Sequence, residues 1–418
     1  PFMKVSSTRG GSEVSLSEAI AVGLAPDGGL YTPPALTAHS GPWGNDLQTR
    51  VRTLLRPFFA GELLEPSLDD IVREAFTFDA PTTWIGDDTG LLELFHGPTA
   101  AFKDFGARFL AACLARLTQR ATVLVATSGD TGAAVASAFH RRPGFRVVIL
   151  YPDGRVSPRQ AHQLGAFGDN VTAFRVAGTF DDCQRMVKAA FADRALTQQH
   201  ALVSANSISL GRLLPQMAYY AHASLSAYEA GKGSTSFVVP TGNLGNAFAC
   251  LLAKECGLPI DRVVLATNAN RVLADFVATG HYEPKASLAT LANAMDVGAP
   301  SNVERLRHRF ADVASAVEAD WVDDATIRAT ITRTLEESGQ VICPHTACGV
   351  EVLRRVRAKG AKGTWQVAAT AHPAKFDSIV EPLIGRSVAV PPALADLLAR
   401  PAHAEPLEPT LDALSKKL

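Results

Sequence analysis

From about residue 86 to residue 370, short apolar runs rich in β-branched residues alternate with alanine-rich stretches of helical spacing. No other feature limits the fold as much. The runs are Thr122–Thr127, Arg146–Tyr151, Val171–Val176, Ala201–Asn206, Ser236–Pro240, Arg262–Thr267 and Trp365–Thr370. Between most of them the apolar positions recur every four residues, as at Phe105, Phe109, Cys113 and Leu117, which is one face of a helix. Strands that are apolar on both sides must be covered on both faces. The pattern therefore predicts an α/β chain with mostly parallel sheets between layers of helices. In such folds ligands sit at the carboxyl ends of strands, in the strand-to-helix loops.

Residues 1–85 have a different texture, with Pro/Gly punctuation and helices predicted over Leu47–Phe59 and Leu68–Phe76. They read as an amino-terminal domain ahead of a region spanning 86–418. The tail from about Pro391, rich in Pro, Ala and Leu, reads as an appendage. With 47% hydrophobic residues in 418, there is ample material for a large core. Lys and Arg number 40 against 41 Asp and Glu, so no global field draws the chain to nucleic acid or to an anionic membrane. No apolar run nears the roughly 20 residues needed to cross a bilayer, and Pro1–Gly10 lacks a signal-peptide core. Six scattered cysteines read as buried small hydrophobes, and a cytoplasmic protein is expected.

Three loops carry most of the chemistry. In His96-Gly97-Pro98-Thr99-Ala100-Ala101-Phe102-Lys103-Asp104 a turn enters a helix, with Thr99 a candidate N-cap. Lys103 falls in the first turn, where the dipole disfavours a cation and eases the loss of its proton. A Schiff-base lysine needs that property, although a surface lysine paired with Asp104 fits the same letters. Thr127-Ser128-Gly129-Asp130-Thr131-Gly132 follows a strand and opens a helix, an arrangement suited to a carboxylate or phosphate and also to an ordinary capped turn. Pro240-Thr241-Gly242-Asn243-Leu244-Gly245-Asn246 is neither a dinucleotide fingerprint nor a P-loop, and is built for one small phosphate group. Asn206-Ser207-Ile208-Ser209-Leu210-Gly211-Arg212 adds amide, hydroxyl and guanidinium groups for a second anion. Thr370, after the last strong strand, offers a neutral hydroxyl. Cys343, His345 and Cys348 lack an obvious fourth metal ligand and read better as a helix start at Pro344-His345-Thr346; no metal is expected. No G-x-S-x-G elbow follows a strand, which weakens a hydrolase assignment.

The Lys103 motif resembles that of the threonine synthases, enzymes of the fold-type-II pyridoxal-phosphate class. Ser7-Thr8-Arg9-Gly10 and Gly23–Tyr31 resemble the amino-terminal domain of the bacterial and fungal branch. Ser128–Gly132, Asn206–Arg212, Gly242–Asn246, Asn293-Ala294-Met295-Asp296-Val297 and Ala371-His372-Pro373-Ala374-Lys375 match in the same order. The resemblance implies a large domain and a smaller mobile subdomain, roughly 105–215, with pyridoxal 5'-phosphate in the cleft between them. It implies that Lys103 bonds the cofactor's aldehyde and that Gly242, Asn243, Leu244, Gly245 and Asn246 hold its phosphate. Thr370 would meet the pyridine nitrogen and Asp130 would lie near the 3' oxygen. By the same likeness, Ser128, Gly129 and Thr131 would face the substrate carboxylate, and Asn206, Ser207 and Arg212 its phosphate.

The implied reaction converts O-phospho-L-homoserine and water to L-threonine and phosphate by β,γ-elimination and replacement, in a monomer. A serine or threonine dehydratase of the same fold type is the nearest rival, but it needs neither the amino-terminal domain nor a second phosphate pocket. A threonine-synthase-like protein that binds ligands without turnover is the other. Ser209, Pro215, Arg271 and Cys343 depart from the family's usual residues, and none of them touches Lys103 or the phosphate loop.

Overall fold

The computed structural model describes residues 3–418. Its strands sort into two large sheets and one small one. The larger sheet runs, edge to edge, Glu318–Trp321, Ile260–Thr267, Thr235–Pro240, Thr364–Ala369, Thr89–Glu93 and Thr82–Trp84. All its pairings are parallel except the last. The second sheet runs Glu405–Leu407, Val171–Val176, Phe145–Pro152, Ala121–Ala126 and Leu202–Ser204, parallel throughout. A three-stranded antiparallel sheet of Val14–Ser15, Lys4–Ser7 and Tyr31–Thr32 lies near the amino terminus.

The seven apolar runs are all strands, with ends within two residues of those expected. Their burial explains why. Every residue of Ala121–Ala126, Thr235–Pro240 and Thr364–Ala369 is buried, so these strands show no alternation and must lie between helical layers. The helix expected over Leu47–Phe59 has those bounds and buries Leu47, Val51, Leu54, Leu55, Phe58 and Phe59 on one face. The next helix, Leu68–Ala75, stops one residue earlier than expected.

Close packing ties the amino-terminal segment to the rest. A Cβ on Gly211 would come within 2.7 Å of Leu110 Cδ1 and 3.1 Å of Ile20 Cγ2, so the helix Leu16–Val22 rests on the short helix Leu210–Leu213. The tail is an integral part of the second sheet, because Glu405–Leu407 extends it beside Val171–Val176. Before that strand, Leu394 buries itself with Ala100 and Ala374. The two large sheets thus bring the carboxyl ends of Ala121–Ala126, Thr235–Pro240 and Thr364–Ala369 to one cavity, with a lining that includes Ala126, Pro240 and Thr370.

Candidate active site

The helix Lys103–Leu117 begins at Lys103 itself, with Phe102 as an N-cap that gives no side-chain bond. Thr99 therefore does not cap this helix as the sequence suggested. Its N–H and hydroxyl instead donate to Asp104, at 2.9 Å to Oδ2 and 2.6 Å to Oδ1. That turns the Asp104 carboxylate away and answers the surface-pair alternative: Lys103 is partly buried, makes no ion pair among the described residues, and lines the cavity. Burial, and then the Arg212 charge, bring its amine down from 10.5 to about 7, against the pull of Asp130. At neutral pH an appreciable share of this amine is free base, the form in which nitrogen is a nucleophile and a proton acceptor.

Opposite lies the loop after Thr235–Pro240. Leu244 is left-handed, at φ 69°, and the helix Gly245–Glu255 starts there without a side-chain cap. A Cβ on Gly242 would sit 2.8 Å from Met295 Cα, so only glycine lets the chain pass. Asn246 Oδ1 accepts from both Tyr219 and Tyr220 hydroxyls at 2.7 Å, while its buried Nδ2 has no protein partner. Free amides, an orphaned amide NH2 and a helix start form a cradle for a phosphate.

The loop after Ala121–Ala126 is held from within, as Thr127 Oγ1 accepts from Gly129 N and Gly132 N. Ser128 Oγ donates to Ala294 O at 2.8 Å, fastening the loop to the 293–297 segment. Asn268, Asn270 and Thr290 all donate to the Asp296 carboxylate, and so fix that segment from behind. Burial pushes Asp296 up to about 7 against those donors. His345 Nε2 accepts from Ala294 N at 3.0 Å, which leaves the ring proton on Nδ1, and burial lowers its pKa to about 4. Cys343 caps the helix Pro344–Ala358, its sulfur accepting from Thr346 N. The helix start read there is thus present. Among the described residues, no group of three or more His, Cys, Asp or Glu is placed to hold a metal.

Lys103, Ser128, Asp130, Thr131, Asn206, Ser207, Gly242, Asn243, Leu244, Gly245, Asn246 and Thr370 line this one cavity. Gly129 and Arg212 do not. Gly129, at φ 140°, packs against Gln160, where a Cβ would fall 2.4 Å from Nε2. Arg212 is wholly buried and stands outside the lining. Its Nη1 donates to Ala205 O, and Nε and Nη2 are unpartnered. The Asn206 amide is spent on Ala126, accepting from its N–H and donating to its carbonyl. Ser207 Oγ accepts from Asn243 Nδ2 at 2.6 Å, so the two expected anion loops are knitted to each other. Sequence reasoning missed Tyr219, Tyr220 and Gln216, and gave no role in the site to His345 or to the buried Lys375. The tyrosines lay in an ordinary apolar helix, and only the folded chain brings them to Asn246.

The cavity suits pyridoxal phosphate. It offers one unpaired lysine of lowered basicity, a phosphate cradle that a side chain at Gly242 would fill, and a hydroxyl at Thr370 in the same lining. A lysine and a phosphate cradle between two α/β sheets fit a pyridoxal-phosphate-dependent enzyme, and residues 91–371 match that family. Residues 4–76 match the threonine synthase N terminus, and 346–417 the threonine synthase C-terminal region. The chain belongs to the threonine synthase family. It is 42% identical over 393 residues to threonine synthase of Serratia marcescens, covering 92% of this chain and 91% of that one. The crystal structure of threonine synthase from Escherichia coli superimposes with a TM-score of 0.94 at 39% identity, covering 99% of both chains. The pyridoxal-phosphate-bound threonine synthase from Brucella melitensis gives 0.88 at 35% identity, covering 99% of this chain and 98% of that one. No helix is long and apolar enough to cross a membrane.

Proposed function

We propose that this chain is an active threonine synthase that converts O-phospho-L-homoserine and water to L-threonine and phosphate, using Lys103 as its catalytic base. The observation that carries this is the lysine itself: partly buried, unpaired, with its amine brought down to about 7, facing a phosphate cradle. Bound pyridoxal phosphate supplies the electron sink that allows a proton to leave the substrate's α-carbon. In this assignment Gly242–Asn246 hold the cofactor's phosphate, Thr370 faces its pyridine nitrogen and Asp130 its 3' oxygen. Lys103 Nζ takes the α-carbon proton and returns protons along the substrate's side chain.

The substrate's carboxylate falls to Ser128, Gly129 and Thr131; Gly129 stands behind the lining with its N–H given to Thr127 Oγ1, so it can serve only if that loop shifts. The substrate's phosphate falls to Asn206, Ser207 and Arg212. Asn206 and Arg212 can serve only after a local rearrangement, since the Asn206 amide is paired with Ala126 and the Arg212 guanidinium, with Nε and Nη2 unpartnered, is wholly buried outside the lining. The smaller subdomain, roughly residues 105–215, would supply that motion and control water, which the reactive intermediate requires. Residues 1–85 would act as a family-specific domain that braces this region, in a cytoplasmic monomer that binds neither nucleic acid nor membrane. The test is Lys103→Ala, which should leave cofactor-loaded protein without turnover. Threonine formation by that variant above the level of a heat-killed control would overturn the assignment.

A further inference from the structure

The reaction as assigned gives no task to Lys375, although it is one of the most deeply buried charges in the chain, at 0% exposure. Its Nζ lies 2.6 Å from Asp130 Oδ1 and donates to Thr99 O at 2.9 Å. Asp130 lines the cavity. Gln160 Nε2 donates to the same Oδ1 at 3.1 Å, so Oδ2 is the oxygen left for the cavity. Gln160 Oε1 in turn accepts from Asn293 Nδ2 at 2.7 Å and from Ser157 N at 2.9 Å. Ser157 Oγ closes the circuit by donating to Lys375 O at 2.8 Å. Asp130, Ser157 and Gln160 belong to the smaller sheet's loops and helices, whereas Lys375 and Asn293 come from segments that follow strands of the larger one.

We propose that Lys375 is a positioning residue that holds Asp130 as an oriented carboxylate at the cavity wall, joining the two sheets at the cofactor's seat. The charged and titratable groups facing Asp130 are Lys375, His345, Lys103 and Cys343. His345 is neutral, because its Nε2 accepts from Ala294 N, and the Cys343 thiol is pushed up by burial. Lys375 is thus the cation in contact. Burial raises the Asp130 carboxyl, yet the Lys375 ammonium, the nearby His345 ring and the hydrogen bonds from Lys375 and Gln160 together hold the group below its usual value. Without that ammonium a buried carboxylate takes up a proton, becomes a donor and turns toward whatever acceptor it finds.

This inference rests on the cavity being the cofactor's seat and not on the identity of the substrate. It can therefore be tested by the visible absorption spectrum of the cofactor-loaded protein with no substrate present. Lys375→Met should move the visible band and lower kcat by about ten-fold or more, with a smaller change in KM. The decisive comparison is between Asp130→Asn and Asp130→Asn with Lys375→Met. If Lys375 acts through Asp130, these two spectra coincide, and the double variant keeps a fold because no lone charge is buried. That comparison stands even if Lys375→Met alone fails to fold, because in Asp130→Asn the Lys375 amine keeps Thr99 O as an acceptor and can release its proton. A folded Lys375→Met with unchanged spectrum and kcat would overturn the proposal. So would a Lys375→Met effect on the spectrum that persists when Asp130 is already asparagine.

Discussion

Replacing Lys103 by methionine should stabilise the cofactor-free protein while destroying its function. The unfolded chain keeps this amine charged until about pH 10.5, but the folded chain releases the proton near pH 7. At 1.36 kcal/mol per pH unit, the interval from 10.5 down to about 7 is worth about 5 kcal/mol against folding. Lys103 opens onto a cavity that admits water, and relaxation around a buried ion lowers such a cost to between about 2 and 5 kcal/mol. The sign follows from a depressed lysine. The penalty is whole below pH 7, shrinks as pH rises, and is gone above 10.5; at pH 9 at most about 2 kcal/mol remains. Methionine keeps most of the apolar stem and carries no charge. With an unfolding entropy of roughly 2.1 cal/mol/K per residue, a gain of about 2 to 5 kcal/mol raises the midpoint by roughly 2 to 6 °C. Calorimetry of cofactor-free wild type and Lys103→Met at pH 7 and pH 9 measures both quantities. A variant no more stable than wild type at pH 7, or an advantage that grows toward pH 9, would refute the reasoning.

Gly242→Ala places a Cβ 2.8 Å from the Met295 backbone and should weaken cofactor binding by about ten-fold or more, as overpacking costs roughly 1–3 kcal/mol; equilibrium dialysis giving wild-type affinity would contradict the cradle. His345→Leu leaves the Ala294 N–H without its acceptor, which should cost about 1–3 kcal/mol in urea unfolding and raise KM by loosening the 293–297 segment. Arg212→Ala should weaken substrate binding far more than cofactor binding, and an equal loss of both in parallel titrations would contradict the division between the two anion sites.

Much of this was legible because it is local. A strand buried on both faces shows as a continuous apolar run, and a loop of small residues between a strand and a helix shows as Thr127–Gly132 or Pro240–Asn246. Strands with weaker signals escaped. Thr89–Glu93 carries a glycine and a terminal acid, Glu318–Trp321 is a partly exposed edge, and Glu405–Leu407 contains a proline. Which way a side chain faces was not legible either. Arg212 and Asn206 have the chemistry to bind a phosphate, yet one is wholly buried outside the lining and the other completes a strand's hydrogen bonds. Lys375 and Asp130 are 245 positions apart, and Tyr219 and Tyr220 reach Asn246 from a helix that looks wholly structural. Such pairings arise only when two sheets and their loops close on one another.

The most direct test is to mix the purified, cofactor-loaded protein with O-phospho-L-homoserine and measure released phosphate and amino-acid product together. The account predicts L-threonine and phosphate in equal amounts. Phosphate without threonine, or a 2-oxo acid in its place, would contradict it, as would no release from protein with its lysine-bound cofactor visibly intact.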